Sequence, residues 1–596
     1  MRGLGSCLLA MWLLCGTAAA TADARKCAVQ QFAELKVTMI ANRPMVDVKI
    51  NGTPMTFMVD SGAFYSTINT SAAKQLKLPL EPTNLLLTGV AGSADAYVTH
   101  VDTVTLAETP IRKVPFVVAS IAGAGAGLIG QNVLGLADVE YDLPHGVIRL
   151  FKPHDCGRAS MAYWANGRDV AEIGIEPRDP RNPHTIGRAK LNGEDVRVMF
   201  DTGASTSLLS QTAAARAGVK VGDPGVTAGG ATGGIGGRLI PSYVGLFENF
   251  RLDTEEMRNV RIRFGALRTD TDMLLGADFF ISHRVYVANS QHRLYLTYEG
   301  GPIFSTKAKA LERDETTHTE KAAAPLQDSG SEPTDADGFA RRGAARLSAG
   351  EVVGALADLD KAVEGAPDSD AYRLLRARAR LANHQPLMAA TDLDRVLERN
   401  PANAEARLIR ARLRSADGKA ELAMTDLVAA DAALAAEADE RLNLAELYSA
   451  LDAFAAARGS FSQWLKAHPD HPQQLTALTG RCRAQAFLGQ DLDRTVGDCN
   501  RALGIDARNH LALEGRGLAR LRQGRLDLAL ADLNAALQIR PHWPEAQYLR
   551  GLTETALGHA AEGREDQITA EAGGPRLEER MKALGLSGPP PLSVTR

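Results

Sequence analysis

Two tripeptides 141 residues apart, Asp60-Ser61-Gly62 and Asp201-Thr202-Gly203, sit in matching surroundings, and nothing else in the chain restricts its fold as much. An Asn-Gly pair lies nine residues before each aspartate, at Asn51-Gly52 and Asn192-Gly193. Such a pair turns one strand back into the next. A serine follows six residues after each aspartate (Ser66, Ser207), and an alanine thirteen after (Ala73, Ala214). Each copy then has an apolar pair ending in glycine. Leu128-Ile129-Gly130 ends 70 residues after Asp60, and Leu274-Leu275-Gly276 ends 75 after Asp201. Repetition on this scale means two similar units. A third tripeptide, Asp328-Ser329-Gly330, has no apolar strand on either side and is read as accidental.

The surroundings of the two loops are β in character. Short apolar runs such as Met55 to Val59 and Val196 to Phe200 alternate with period two between Gly, Pro and Asn-Gly turns. The expected organisation is a signal peptide over residues 1–22, a first β lobe over 28–156, a connection over 157–184 and a second β lobe over 185–300.

The chemistry follows from having two carboxylates. A strand delivers each aspartate to a tight turn, Ser61 or Thr202 braces the opposite loop through its hydroxyl, and Gly62 or Gly203 lets the backbone approach the carboxylate. Two carboxylates about 3 Å apart share one proton. One then acts as base toward water while the other protonates the scissile carbonyl. This needs no metal and no organic cofactor. Histidines form no triad pattern, with His283 and His292 lying among β residues, and the nucleophile-elbow and zinc-protease motifs are missing from the sequence.

Val59-Asp60-Ser61-Gly62-Ala63 with Leu128-Ile129-Gly130-Gln131-Asn132 resembles a retropepsin-type aspartic protease lobe, as does Phe200-Asp201-Thr202-Gly203-Ala204 with Leu274-Leu275-Gly276-Ala277-Asp278. The resemblance covers roughly residues 35–155 and 185–298. It implies that Asp60 and Asp201 are the catalytic dyad and that Ser61 and Thr202 interlock. In that family a hairpin flap closes over the substrate. The first flap is expected over Thr88 to Tyr97, with Gly89 and Gly92, and Tyr97 is a candidate to reach toward the dyad. The second is expected over Gly229 to Gly237, with Gly233 and Gly236 among its glycines.

Residues 301–335 are rich in Lys, Glu, Thr, Ala and Pro without periodicity, the mark of a flexible linker. After that the chain turns to Ala, Leu, Arg and Asp with helical period. Prolines 367, 401, 469, 541 and 575 are separated by 34, 68, 72 and 34 residues. A 34-residue pair of helices is the tetratricopeptide pattern, and the interval of 72 fits a four-residue insertion near His471 to Gln474. About seven repeats are expected over 336–586, with a capping helix from Arg576 to Leu584. The fold class is therefore multidomain, with two all-β retropepsin-like lobes followed by an all-α tetratricopeptide solenoid.

Arg2, the apolar stretch Leu4 to Leu14 and the small residues ending at Ala20 or Ala22 describe an export signal. Four cysteines remain after it. Three pairings are open, and Cys27–Cys156 with Cys482–Cys499 is preferred because the first two bracket a lobe and the second two sit on neighbouring helices. No Cys/His spacing suggests zinc. The net charge of −4 offers no field for nucleic acid or an anionic membrane. The expected molecule is an exported, periplasmic or secreted aspartic endopeptidase. Its substrate is a peptide or protein, its helical repeats recruit a protein partner, and it has no membrane insertion once the signal is removed. The alternative is a scaffold that binds peptide without cleaving it.

Overall fold

The computed structural model describes residues 27–89, 92–119, 124–157, 159–177, 183–232, 240–267, 269–304, 332–469, 471, 473–574 and 576–586. The expected signal peptide, the core of the expected linker and Gly233 and Gly236 lie outside these residues.

Each Asn-Gly pair makes the turn its sequence requires. Asn51 and Gly52 have φ of 49° and 84°, and Asn192 and Gly193 have 48° and 89°, so two successive positive φ values twist the hairpin the way its strands twist. In the first lobe this turn joins Pro44–Ile50 to Thr53–Val59 in an eight-stranded sheet. Pro44–Ile50 also pairs with Gly92–Leu106, which closes the sheet on itself. In the second lobe Ile186–Leu191 pairs with both Glu194–Phe200 and Ile240–Leu252, closing a seven-stranded sheet. The strand running into each aspartate lies parallel to the apolar-Gly element, Gly127–Ile129 or Met273–Leu275. That element pairs antiparallel with the strand after the loop, Thr67–Ile68 or Leu208–Ser210. The repeated alanines lie in the short helices Thr70–Gln75 and Gln211–Arg216 and are fully buried. Asn69 and Ser210 cap these helices through their side chains.

A third sheet has no counterpart in the two-lobe partition read from the sequence. Its strand order is Ala28–Lys36, Val147–His154, Asp138–Asp142, His283–Ala288, Arg293–Tyr298 and Ala171–Gly174. Asp138–Asp142 of the first half pairs antiparallel with His283–Ala288 of the second. All five residues of Asp138–Asp142 are buried. The fully buried Glu140 is neutralised by Arg149 at 2.6 Å and Arg284 at 2.7 Å, and accepts a hydrogen bond from Tyr163 at 2.5 Å. A disulfide joins Cys27 to Cys156 at the outer end of this sheet.

Seven helix pairs run from Ala336–Ala349 with Val352–Gly365 to Pro544–Leu557 with Ala560–Gly573, and Leu577–Ala583 follows. Side-chain caps from Ser369, Asn403 and Asn509 start helices at equivalent places in their repeats. Bidentate arginine–aspartate pairs repeat along the stack: Arg376–Asp392, Arg410–Asp426, Arg516–Asp532 and Arg550–Asp566, each sixteen residues apart. The fourth repeat replaces both members, placing buried Leu444 and Ser460 where the pair would be. The extra residues near His471 fall between Phe454–Ala467 and Gln474–Leu488. Cys482 and Cys499 are disulfide-bonded across the helices of the fifth pair.

The first helix of the stack packs against the β half. Lys36 pairs with Asp337 at 2.5 Å, and Ala345 belongs to the core of the lobes. Gly146 meets this helix so closely that an added Cβ would lie 2.5 Å from Arg341 Cβ.

Candidate active site

The strands Thr53–Val59 and Glu194–Phe200 each end on an aspartate held by its backbone. The Asp60 amide donates to Ile129 O at 3.0 Å and the Asp201 amide to Leu275 O at 2.8 Å. Each carboxylate folds back over its own turn. Asp60 Oδ1 accepts from the Gly62 amide at 2.9 Å. Asp201 Oδ1 accepts from Gly203 at 2.9 Å and from Ala204 at 3.2 Å.

The two loops meet. Ser61 N donates to Thr202 Oγ1 at 3.0 Å, and Thr202 N donates to Ser61 Oγ at 2.9 Å. Ser61 Oγ donates to Phe200 O and Thr202 Oγ1 to Val59 O, both at 2.9 Å. Ser61 and Thr202 are fully enclosed, so these four bonds form in a site where an unpaired group would cost about 1–3 kcal/mol.

The repeated serines have a place in the same frame. Ser66 Oγ accepts from the Gly130 amide at 3.0 Å and donates to Asn132 Oδ1 at 2.8 Å. Ser207 Oγ accepts from the Gly276 amide at 2.9 Å and donates to Asp278 Oδ1 at 2.7 Å. Glycine is required at 130 and 276 because a Cβ would stand 2.8 Å from Tyr65 O and 2.6 Å from Ala204 O.

Each carboxyl lies against the other loop's glycine, Asp201 at Gly62 and Asp60 at Gly203, and the two acids act on each other. Burial pushes both carboxyls above the ordinary range. Asp60 goes further because the charge of Asp201 favours the protonated form there. The two carboxyls therefore titrate as a coupled pair.

Among the other candidates, Gly89 and Gly92 pair across the tip of a hairpin formed by Glu81–Gly89 and Gly92–Leu106, in the first flap position. Tyr97 pairs with Pro82 and Val118 and is 48% exposed, with no hydrogen bond from its side chain among the described residues. His283 is a structural residue: fully buried, stacked on Phe279 and bonded to Glu255 at 2.7 Å. One residue escaped the sequence reading, His184, seventeen positions before Asp201. His184 acts electrostatically on Asp201. Its only signal was the 141-residue offset, which aligns it with an unlike side chain, Arg43.

Two closed β lobes with interlocked Asp-Ser/Thr-Gly loops, followed by stacked helix pairs, define a tandem retropepsin-like fold with a tetratricopeptide-type tail. The aspartyl protease family model matches residues 46–133 and again 187–279, so both lobes are of the aspartyl protease kind. Over 42% of its length the chain is similar to a tetratricopeptide repeat protein from Parabacteroides merdae ATCC 43184, covering 98% of that chain at 18% identity with a TM-score of 0.33. It is also similar, over 46% of its length, to the aspartic proteinase from Irpex lacteus, covering 97% of that chain at 12% identity with a TM-score of 0.30. No curated protein matches the sequence.

Proposed function

We propose that the protein is an aspartic endopeptidase whose catalytic pair is Asp60 and Asp201. The observation that carries this reading is the interlock of Ser61 and Thr202, which sets each aspartate against the glycine of the opposite loop, together with the raised pKa of both acids. A protein gains nothing structural from facing two acids here, whereas peptide hydrolysis needs both. The unprotonated carboxylate takes a proton from water as its oxygen adds to the scissile carbonyl, and the protonated partner delivers its proton to the carbonyl oxygen. Collapse of the resulting diol passes a proton to the leaving nitrogen and restores the shared state. Ser61 and Thr202 hold the two carboxyls in register, and Gly62 and Gly203 admit them. The hairpin tipped by Gly89 and Gly92 serves as a lid.

The helical repeats offer an extended surface suited to recruiting a protein partner or substrate. Two disulfides support an oxidising, exported location, with the periplasm as the proposed compartment. Among the described residues no helix is long and apolar enough to cross a membrane.

Asp60→Asn and Asp201→Asn are each expected to abolish cleavage of an unfolded protein while leaving the circular dichroism unchanged. Wild-type cleavage by either variant would sink the dyad. A wild-type protein that binds peptides without cleaving them across acid and neutral pH would favour the scaffold reading.

A further inference from the structure

The last short helix reaches back across the stack. Leu577–Ala583 follows the seventh helix pair after Arg576, whose φ of 67° breaks the helical path and turns the chain. Arg580 then donates to Asp452 through Nε and Nη2, both at 2.8 Å, and to Glu545 through Nη1 at 2.9 Å. Asp452 lies in the turn between Arg441–Ala450 and Phe454–Ala467 of the fourth pair, and Glu545 in the first turn of Pro544–Leu557 in the seventh. At helix spacings of about 8–10 Å, three steps along a straight stack would part these two by roughly 25–30 Å. One guanidinium holds both, so the stack curls and Leu577–Ala583 sits on the inside of the bend, the concave face of such a superhelix.

The grip is that of a groove on a peptide. Leu577, Met581 and Leu586 are buried in the core of the helical half, and Leu584 packs against it. Leu577, Met581 and Leu584 recur at i, i+4 and i+7, which puts them on one face of a helix. Glu578, Glu579 and Lys582 are exposed. Past the helix the main chain itself is held by side chains from the first helices of the pairs. Arg522, at the end of His510–Arg522, donates to Leu584 O at 3.3 Å and also to Phe487 O of Gln474–Leu488 at 3.0 Å. Tyr548 of Pro544–Leu557 donates to Leu586 O at 3.2 Å. Seven residues are too few to hold a helix alone in water, so the segment takes its shape from the surface it lies on.

We propose that the inner face of the fourth to seventh helix pairs is a peptide-binding groove, and that residues 577–586 are a built-in occupant which a partner displaces. The partner is a short amphipathic segment with two apolar residues four apart and an arginine just before the second, as in Leu577, Arg580 and Met581. Asp452 and Glu545 select the arginine, since a guanidinium binds one carboxylate through two parallel bonds and still has a donor for another. This rests on the recruiting role proposed for the repeats and is independent of the dyad. A tethered segment competes at an effective concentration in the millimolar range. The groove therefore stays shut to weak ligands and opens to one that binds it better than the chain's own segment does.

The test uses the full chain and a labelled synthetic peptide with the sequence of residues 577–586, followed by fluorescence anisotropy. Wild type should bind it weakly. A chain carrying Arg580→Glu and Met581→Glu, which evict its own segment, should bind it at least about tenfold more tightly. Asp452→Lys added to that chain should remove the gain, and Arg580→Glu in the peptide should then restore part of it. Failure of the evicted chain to gain affinity overturns the proposal. A gain that survives Asp452→Lys overturns it too and leaves recruitment to another surface. So does loss of helical circular dichroism in the evicted chain, since the segment would then be part of the fold. Wild type supplies a check that needs no variant. Amides of residues 577–586 should exchange at least about tenfold faster than those of Gln474–Leu488, and faster still with unlabelled peptide in excess. Equal protection ends the proposal. Neither measurement involves cleavage, so the dyad reading stands or falls by its own variants.

Discussion

Gly62 and the Asp201 carboxyl are packed so tightly that a methyl group on the glycine would sit 2.3 Å from the carboxyl carbon, and Gly203 stands in the same relation to Asp60 at 2.2 Å. Each loop is thus shaped by the other lobe's acid. Gly62→Ala should abolish turnover while sparing the secondary structure, and should cost about 1–3 kcal/mol of stability from overpacking. Cleavage assays and thermal unfolding on the same preparation check both effects. A Gly62→Ala enzyme with wild-type turnover would show that the loops part more easily than the packing allows.

Asp60 has a folded pKa raised by burial and by Asp201. The stability linked to it is fully present below its unfolded value and is lost as pH rises through the folded value. Asp60→Asn removes that loss. The variant should be more stable than wild type at neutral pH, by on the order of 1 kcal/mol for every tenfold by which folding weakens the acid. The gain should fade as the solution is acidified. Denaturant unfolding at acid and neutral pH measures it.

His184 is held below its ordinary pKa by desolvation, and when protonated it favours the charged form of Asp201. Its positive charge appears only on the acid side. His184→Asn should therefore move the acid limb of kcat/KM to higher pH and leave the alkaline limb in place. A shift of both limbs together would mean that His184 acts through packing instead.

The fourth helical repeat carries Leu444 and Ser460 where other repeats carry an arginine and an aspartate. Arg550→Leu alone leaves Asp566 without the partner that binds it at 2.7 and 2.6 Å. It should destabilise the helical half by about 1–3 kcal/mol. Arg550→Leu with Asp566→Ser copies the fourth repeat and should recover much of the loss. Unfolding midpoints of the two variants decide it, and equal losses would show that the ladder is not a coupled pair.

Much of the architecture could be read from spacing. The Asn-Gly turns, the serines at six residues and the apolar-Gly elements recur because each is a local requirement of the same loop. Prolines mark repeat ends because they cannot continue a helix. The third sheet was not legible. Asp138–Asp142 is buried on both faces, so it shows no alternation, and its partner His283–Ala288 lies far along the chain. Ser66 and Ser207 were visible as markers, but their bonds to Gly130 and Gly276 were not. His184 was hidden because its matching position in the first lobe is Arg43, so the repeat aligns it by position and not by residue type.

The sheet that joins Asp138–Asp142 to His283–Ala288 clamps the two halves of the cleft together within one chain. A dyad assembled from two separate identical chains falls apart on dilution and must keep both halves alike. Here the two loops stay paired at any concentration, and each lobe is free to change its side chains independently of the other, as Arg43 and His184 have at matching positions.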